Sequence, residues 1–223
     1  MGTCFNRGNR AYSSKQGLCE SLKQSHWYNC PGKFVLKHPR SYNLSIDSDT
    51  EEFIRDFKMT AAMSLLKWII HVRDTSVSKL MSDTGTVPVD QFHFALEECE
   101  KIIKRSTHED IDYDIEDGSN WDKFLDSYYR CVHVGAHFKP TTIETEHSLA
   151  YKSKIMLAEM TKVWHYLDMD GYMNVWILKP VNGSRGLGIH MCRTLNYVLK
   201  VVGERKNMKY IVQKYIGKIF FVW

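Results

Sequence analysis

The segment from Asn174 to Ile216 restricts the fold of this chain more than any other. A short β-type run, Asn174 to Leu178, leads through Lys179 and Pro180 into a loop with glycines at 183, 186 and 188, and a second apolar run, Ile189 to Cys192, follows. Thr194 to Val202 then reads as a helix and Tyr210 to Ile216 as a third strand. Glycine lets backbone N–H groups approach phosphate oxygens with no Cβ in the way, and Lys179 and Arg185 add positive charge at the loop's edge. The loop is not a Walker P-loop, which opens through GxxxxGK[ST] directly into a helix, nor a dinucleotide GxGxxG after a first strand. On spacing alone such a loop is more often a plain turn, so the neighbouring residues carry the distinction.

Upstream the texture is helical. Residues 1–46 are polar and rich in Gly, Asn and Ser, which predicts an irregular N-terminal segment. Ser48 and Glu51 have capping-box spacing, and Phe53, Ile54, Phe57, Ala61, Leu65, Leu66 and Ile69 recur at helical spacing, predicting an amphipathic helix over 50–72. A loop over 73–88 precedes a second helix over 89–104, with Phe92, Leu96, Cys99, Ile102 and Ile103 on one face. Ser119 is placed to cap a third helix carrying Trp121, Phe124, Leu125, Tyr128, Tyr129 and Val132, which Pro140 is expected to end. A fourth helix is expected over 147–167. The division that follows is an irregular segment 1–46, a helical region 47–146 and a strand-bearing region 147–223.

Composition excludes several classes. With 43% hydrophobic and 25% charged residues, the 223-residue chain has the make-up of an ordinary globular protein. No apolar run approaches the ~18–20 residues that cross a bilayer, and the N-terminus lacks the apolar core of a secretory signal, which points to the cytoplasm and away from the membrane. A net charge of +4 calls for no nucleic acid and is compatible with an acidic protein partner. The six cysteines form no CxxC pair, so neither a disulfide framework nor a zinc ribbon is expected. His133 and His137, with Cys131 nearby, have the spacing of two metal ligands on a helix but lack an evident third, and read as helix or core histidines. The acidic run Glu109, Asp110, Asp112, Asp114, Glu116 and Asp117 has its glycine and terminal glutamate out of register for a calcium loop and reads as solvated.

Three blocks carry a resemblance: Val175-Trp176-Ile177-Leu178-Lys179-Pro180, then Ser184-Arg185-Gly186-Leu187-Gly188-Ile189, then Val212-Gln213-Lys214-Tyr215-Ile216. In this order they resemble the ATP-grasp signature of the tubulin tyrosine ligase-like family. Glu52 to Phe57, Thr60 to Ala62 and Tyr128 to His133 look like the helical region of its glycylase branch, so that the likeness covers residues 35–216. The resemblance implies an α+β chain: a helical N-terminal region, then the first, glycine-loop-bearing part of an ATP-grasp sheet. It implies ATP and Mg²⁺ as cofactors, glycine as co-substrate, and tubulin or microtubules as partner, in the cytoplasm, cytoskeleton and cilium. Lys179 is then a phosphate ligand, Ser184, Arg185, Gly186 and Gly188 belong to the cover over the phosphates, and Gln213, Lys214, Tyr215 and Ile216 form the adenine-side strand.

In that family an acyl phosphate forms on a substrate γ-carboxylate and an amino group attacks it. The family's metal-binding and substrate-binding groups follow the third block, whereas this chain stops at Trp223, so no catalytic or metal-ligating residue is assigned and an inactive, C-terminally truncated product or tubulin-binding fragment is the alternative expectation. The final Gly217-Lys218-Ile219-Phe220-Phe221-Val222-Trp223 departs abruptly from the family pattern and is expected to be read-through into a retained intron or a mispredicted gene end.

Overall fold

The structure, a computed structural model, describes residues 13–24, 38–76, 78–106, 118–183, 185–205 and 207–216. Ser184, the acidic run 109–117 and the final 217–223 lie outside the described residues. The chain is an α+β protein whose described part divides into two compact units. One combines the described residues up to Ile54 with Val175–Tyr215, and the other is Arg55–Asn174 together with Ile216.

The first unit is built on a four-stranded sheet of β1 (Ser41–Asn43), β2 (Trp176–Pro180), β3 (His190–Cys192) and β4 (Tyr210–Lys214), in the order β1-β4-β2-β3 with every pair antiparallel. Helix α1 (Lys15–Lys23) packs on β1 and β4, and a later helix, α6 (Leu195–Glu204), packs on β3. Trp176 is fully buried, with Phe53 edge-on at 5.1 Å and Tyr42 at 6.2 Å. Arg40 and Lys214 lie 5.8 and 5.4 Å from its ring, a cation on an aromatic surface in each case.

The segment expected to be irregular thus contains a helix and a strand. Helix α1 escapes a periodicity search because it offers only Leu18, Cys19 and Leu22 as apolar positions and Leu18 is exposed. Its hold is polar: Ser14 caps it by accepting the Gly17 N–H at 3.0 Å, and Lys23 reaches Asp49 at 2.5 Å. Asp49 in turn accepts the Asn43 N–H at 2.9 Å, tying β1 to the first turn of the next helix. Strand β1 is too short to show alternation and takes its conformation from β4, where Tyr42 faces Val212.

The second unit is helical. Helix α2 (Asp47–Thr75) contributes its residues from Arg55 onward, and α3 (Asp90–Ser106), α4 (Gly118–Tyr129) and α5 (Glu146–Val163) lie wholly within it. Residues 59–66 of α2 are buried on every side, not on one stripe as expected, because Thr60-Ala61-Ala62-Met63-Ser64-Leu65-Leu66 presents small or apolar groups all round. Helix α4 supplies Trp121, Phe124 and Tyr128, and Phe94 of α3 meets Trp121 at 5.0 Å. A π-helical turn over Arg130–Val134 continues α4, and Gly135 at φ 79° closes it, well ahead of the expected stop at Pro140. Ser119 lies inside α4 and not at its cap. Thr145 and Ser148 form a reciprocal capping box on α5. Among the described residues no helix is long and apolar enough to cross a membrane.

Candidate functional site

Side chains directly opposite in an antiparallel pair project from the same face, and successive residues alternate. The register therefore places Lys179 on one face with Ile177, Ile211 and Gln213, and Trp176, Leu178, Val212 and Lys214 on the other. The second face is the core: its four residues are all buried. On the first, the Lys179 ammonium donates to Gln213 Oε1 at 2.5 Å across the β2–β4 ladder. Two residues from different sequence blocks are thus in direct contact. Burial lowers the Lys179 pKa below the ordinary lysine value, and the positive charge of Lys15 lowers it further.

The glycine loop joins β2 to β3 and is exposed over residues 185–189. Gly183 packs so tightly on Pro180 that a Cβ would lie 2.7 Å from the ring Cγ, which excludes any other residue without displacement. Arg185, Gly186 and Gly188 all have left-handed backbones, with φ of 54°, 78° and 73°. For Gly186 this is free of steric cost; for Arg185 it is an unfavourable conformation that the loop imposes. Successive backbone groups of this hand can turn N–H dipoles toward an anion, and the Arg185 side chain lies exposed beside them.

The residues assigned to the third block separate. Strand β4 ends at Lys214, so Tyr215 and Ile216 lie beyond the expected ladder, with the Tyr215 N–H donating to Val175 O at 3.0 Å. The Tyr215 side chain is exposed and Ile216 is half-buried. Lys214 is a core residue: it is buried, its ammonium donates to Val175 O at 3.1 Å, and it faces away from Lys179 and Gln213. An alternating V-Q-K-Y-I run contains this split, since Gln213 and Lys214 are neighbours and must point to opposite faces.

Helix α1 brings a residue that sequence reasoning missed. The Lys15 ammonium donates to Pro180 O at 2.9 Å and also to Gly183 O, at the start of the glycine loop. Nothing in the local sequence marks it, because its partners are 165 and 168 residues away.

The histidine pair does not share a helix face. The π turn and Gly135 end the helix between them, and His137 instead meets Lys79 O at 2.7 Å through Nδ1 while His133 packs against the Tyr128 and Tyr129 rings. Cys131 is buried and its thiol is pushed up to about 12 by desolvation. Among the described residues no three His, Cys, Asp or Glu side chains gather as a metal-ligand set.

This arrangement can hold an anion at the sheet's end. Two ammonium groups rest on neutral oxygens beside a loop of left-handed residues, and the set fits the phosphates of a nucleotide. Mg²⁺ needs oxygen ligands, usually carboxylates, and the charge that acts on Lys179 is that of another lysine. The described residues therefore fit the phosphates and offer the metal no ligand set.

Residues 117–218 match the family model described as "Tubulin-tyrosine ligase family". Over 227 residues the chain is 31% identical to Tubulin glycylase 3A of Drosophila melanogaster, covering 97% of this chain and 23% of that protein. It is 30% identical over 239 residues to Tubulin monoglycylase TTLL3 of Mus musculus, covering 96% of this chain and 25% of the relative. Protein monoglycylase TTLL8 of Homo sapiens is 27% identical over 239 residues, with 92% of this chain and 27% of that protein covered. The chain spans about a quarter of the length of these curated relatives. With the family match lying over the glycine loop and Gln213, and the likeness to glycylases running along almost the whole sequence, residues 117–218 of the chain carry a domain of the tubulin-tyrosine ligase family.

Proposed function

We propose that this chain carries the glycine-loop side of the nucleotide site of an ATP-dependent ligase that joins glycine to glutamate side chains of tubulin. Its sheet is then the first part of an ATP-grasp fold, and its place is on microtubules and the axoneme. The observation that carries the nucleotide reading is the Lys179 ammonium on Gln213 Oε1, beside a loop whose Arg185, Gly186 and Gly188 are all left-handed. The names of the relatives, tubulin glycylase and monoglycylase, support the choice of glycine and tubulin.

When bound, ATP supplies the phosphoryl group that activates a glutamate carboxylate for attack by an amino group. Lys179 would exchange its neutral amide partner for a phosphate oxygen, adding ion-pair attraction to a hydrogen bond whose donor is already charged. Residues 185–188 would lay backbone N–H groups and the Arg185 guanidinium along the phosphates, neutralising charge and excluding water. Gln213 and the backbone of Tyr215 and Ile216 line the base side, while Lys214 holds β4 in place from the core face. No step is assigned to Mg²⁺ among these residues.

Calorimetry with Mg-ATP on the full 223-residue chain and on Lys179→Met tests the reading. The variant is expected to bind at least ~10-fold more weakly, the loss of one hydrogen bond to a charged group. Equal binding by both, or none by the unmodified chain, overturns it. Incubation with tubulin, ATP and labelled glycine distinguishes an active ligase from a non-catalytic tubulin-binding piece, since only the first incorporates label.

A further inference from the structure

Lys15 lies at the first position of α1, yet its ammonium ends on the β2–β3 connection. It donates to the carbonyls of Pro180 and Gly183, the two ends of the turn that opens the glycine loop. The turn's own backbone bond, from Gly183 N to Pro180 O, is long at 3.3 Å, and Gly183 already sits against the proline ring. A cation bridging both carbonyls is therefore the stronger tie on this turn, charge-assisted where the backbone bond is neutral.

The other end of α1 is fixed independently. Cys19 is buried against the sheet, and Lys23 is paired with Asp49 at 2.5 Å. Helix α1 is therefore an anchored arm with Lys15 at its tip. That tip also acts on Lys179, whose pKa is lowered first by burial and further by the Lys15 charge. Two like charges held near one another on neutral oxygens (Pro180 O, Gly183 O and Gln213 Oε1) are poorly neutralised and favour an arriving anion.

We propose that Lys15 is a positioning residue of this site: it latches the base of the glycine loop through the Pro180 and Gly183 carbonyls and adds a second positive charge at the phosphate end. Helix α1 is on this account part of the nucleotide site. The second role rests on the nucleotide reading; the latch does not.

Hydrogen exchange on the full chain, with and without Mg-ATP, separates the two. In Lys15→Met the amides of residues 181–183 and 185–189 are expected to exchange roughly 10-fold faster, as loss of a charged hydrogen bond lets the turn open locally. Those of β4, residues 211–214, keep their rate. Lys15→Arg, which keeps the charge, restores most of the protection, and proteolysis after Arg185 follows the same order. Unchanged loop exchange in Lys15→Met overturns the latch, as does an equal loosening of β4, which would mean that the unit had unfolded. If Lys15→Met frees the loop while Mg-ATP leaves the unmodified chain's exchange unaltered, the latch stands and the nucleotide reading falls. If Mg-ATP protects the unmodified loop and Lys15→Met changes nothing without it, the nucleotide reading stands and the latch falls.

Discussion

The surroundings of Glu144 in the helical unit and of the glycine loop in the sheet unit treat charge in opposite ways. In the helical unit a buried carboxylate, Glu144, gathers Lys152, His93 at 3.4 Å and the Ser148 hydroxyl around itself. Lys101 meets Glu98 at 2.7 Å, and Lys154 meets Asp74 at 3.0 Å. In the sheet unit the two lysines next to the glycine loop end on backbone carbonyls and an amide oxygen, although Lys23 in the same unit has its aspartate. A cation paired with a carboxylate is already neutralised and serves the fold. A cation left on neutral dipoles retains attraction for an anion. Lys67 in the helical unit also ends on carbonyls, those of Leu167 and Asp170, so it is the left-handed glycine loop beside Lys15 and Lys179 that distinguishes the sheet site.

The largest effect should come from the ring beneath that site. Trp176→Ala removes a fully buried indole and the surface on which Arg40 and Lys214 lie, and is expected to cost ~3–5 kcal/mol in urea unfolding. A cost near zero would show that the sheet unit has no core of its own and that the comparison of two units is misplaced.

Glu144→Gln tests the paired side. Burial by itself would raise the Glu144 pKa, but the hydrogen bonds from Lys152 and Ser148 and the charges of Lys152 and His93 outweigh it and hold it below the usual glutamate value. A depressed carboxylate contributes stability that is full above its unfolded-state pKa and lost as pH falls through its folded-state pKa. The variant should therefore be less stable by ~1–3 kcal/mol at neutral pH, with the difference fading in acid. A difference that grows in acid would reverse the assignment.

Lys179→Met should have the opposite sign and a smaller size. A lysine with a lowered pKa binds fewer protons folded than unfolded, so stability rises with pH between its folded-state pKa and the ordinary lysine value. The variant flattens that rise and, with solvent screening, shifts stability by less than ~1 kcal/mol at neutral pH. Steep alkaline stabilisation persisting in the variant would assign the effect to another group.

The smallest effect is a null one shared by both units. Desolvation pushes the Cys99 and Cys131 thiols up to about 12 and that of Cys192 up to about 11, so none supplies thiolate near neutrality. Native protein treated with iodoacetamide at about pH 8 should be unlabelled at all three. Labelling of Cys192 alone would show that the sheet unit opens more readily than the helical one.

What was legible in the sequence followed from strong local signals. The helical spacing of Phe53, Phe57, Ala61, Leu65 and Ile69 and the short β-type run ending at Leu178 place their elements by themselves, because the pattern of near neighbours is enough to set them. The glycine loop was legible through residue type, and the left-handed backbone at Gly186 and Gly188 is what those glycines permit. Helix α1 and strand β1 were not legible: one is held by a cap, a salt bridge and a lysine on distant carbonyls, the other by a strand that follows much later in the chain. The end of α4 was misplaced because a π turn and Gly135 act before the proline does. Of the site, residue types were readable and contacts were not: that Lys179 would meet Gln213 while Lys214 turned to Trp176 depends on the register of β2 on β4.

The pairing of β1 with β4 also sets a timetable for synthesis. Ser41, Tyr42 and Asn43 leave the ribosome early, but their partners are Gln213, Val212 and Ile211. Arg55–Asn174 is one unbroken stretch and can fold as soon as it has emerged, as domains do during translation. Strand β1 and helix α1 must meanwhile wait as an unpaired leader, since non-local strand pairing has to overcome the entropy of closing the intervening chain. The nascent protein thus passes through a stage with a finished helical body and an unfinished sheet, and the edge that β1 shields on β4 is the last to be covered.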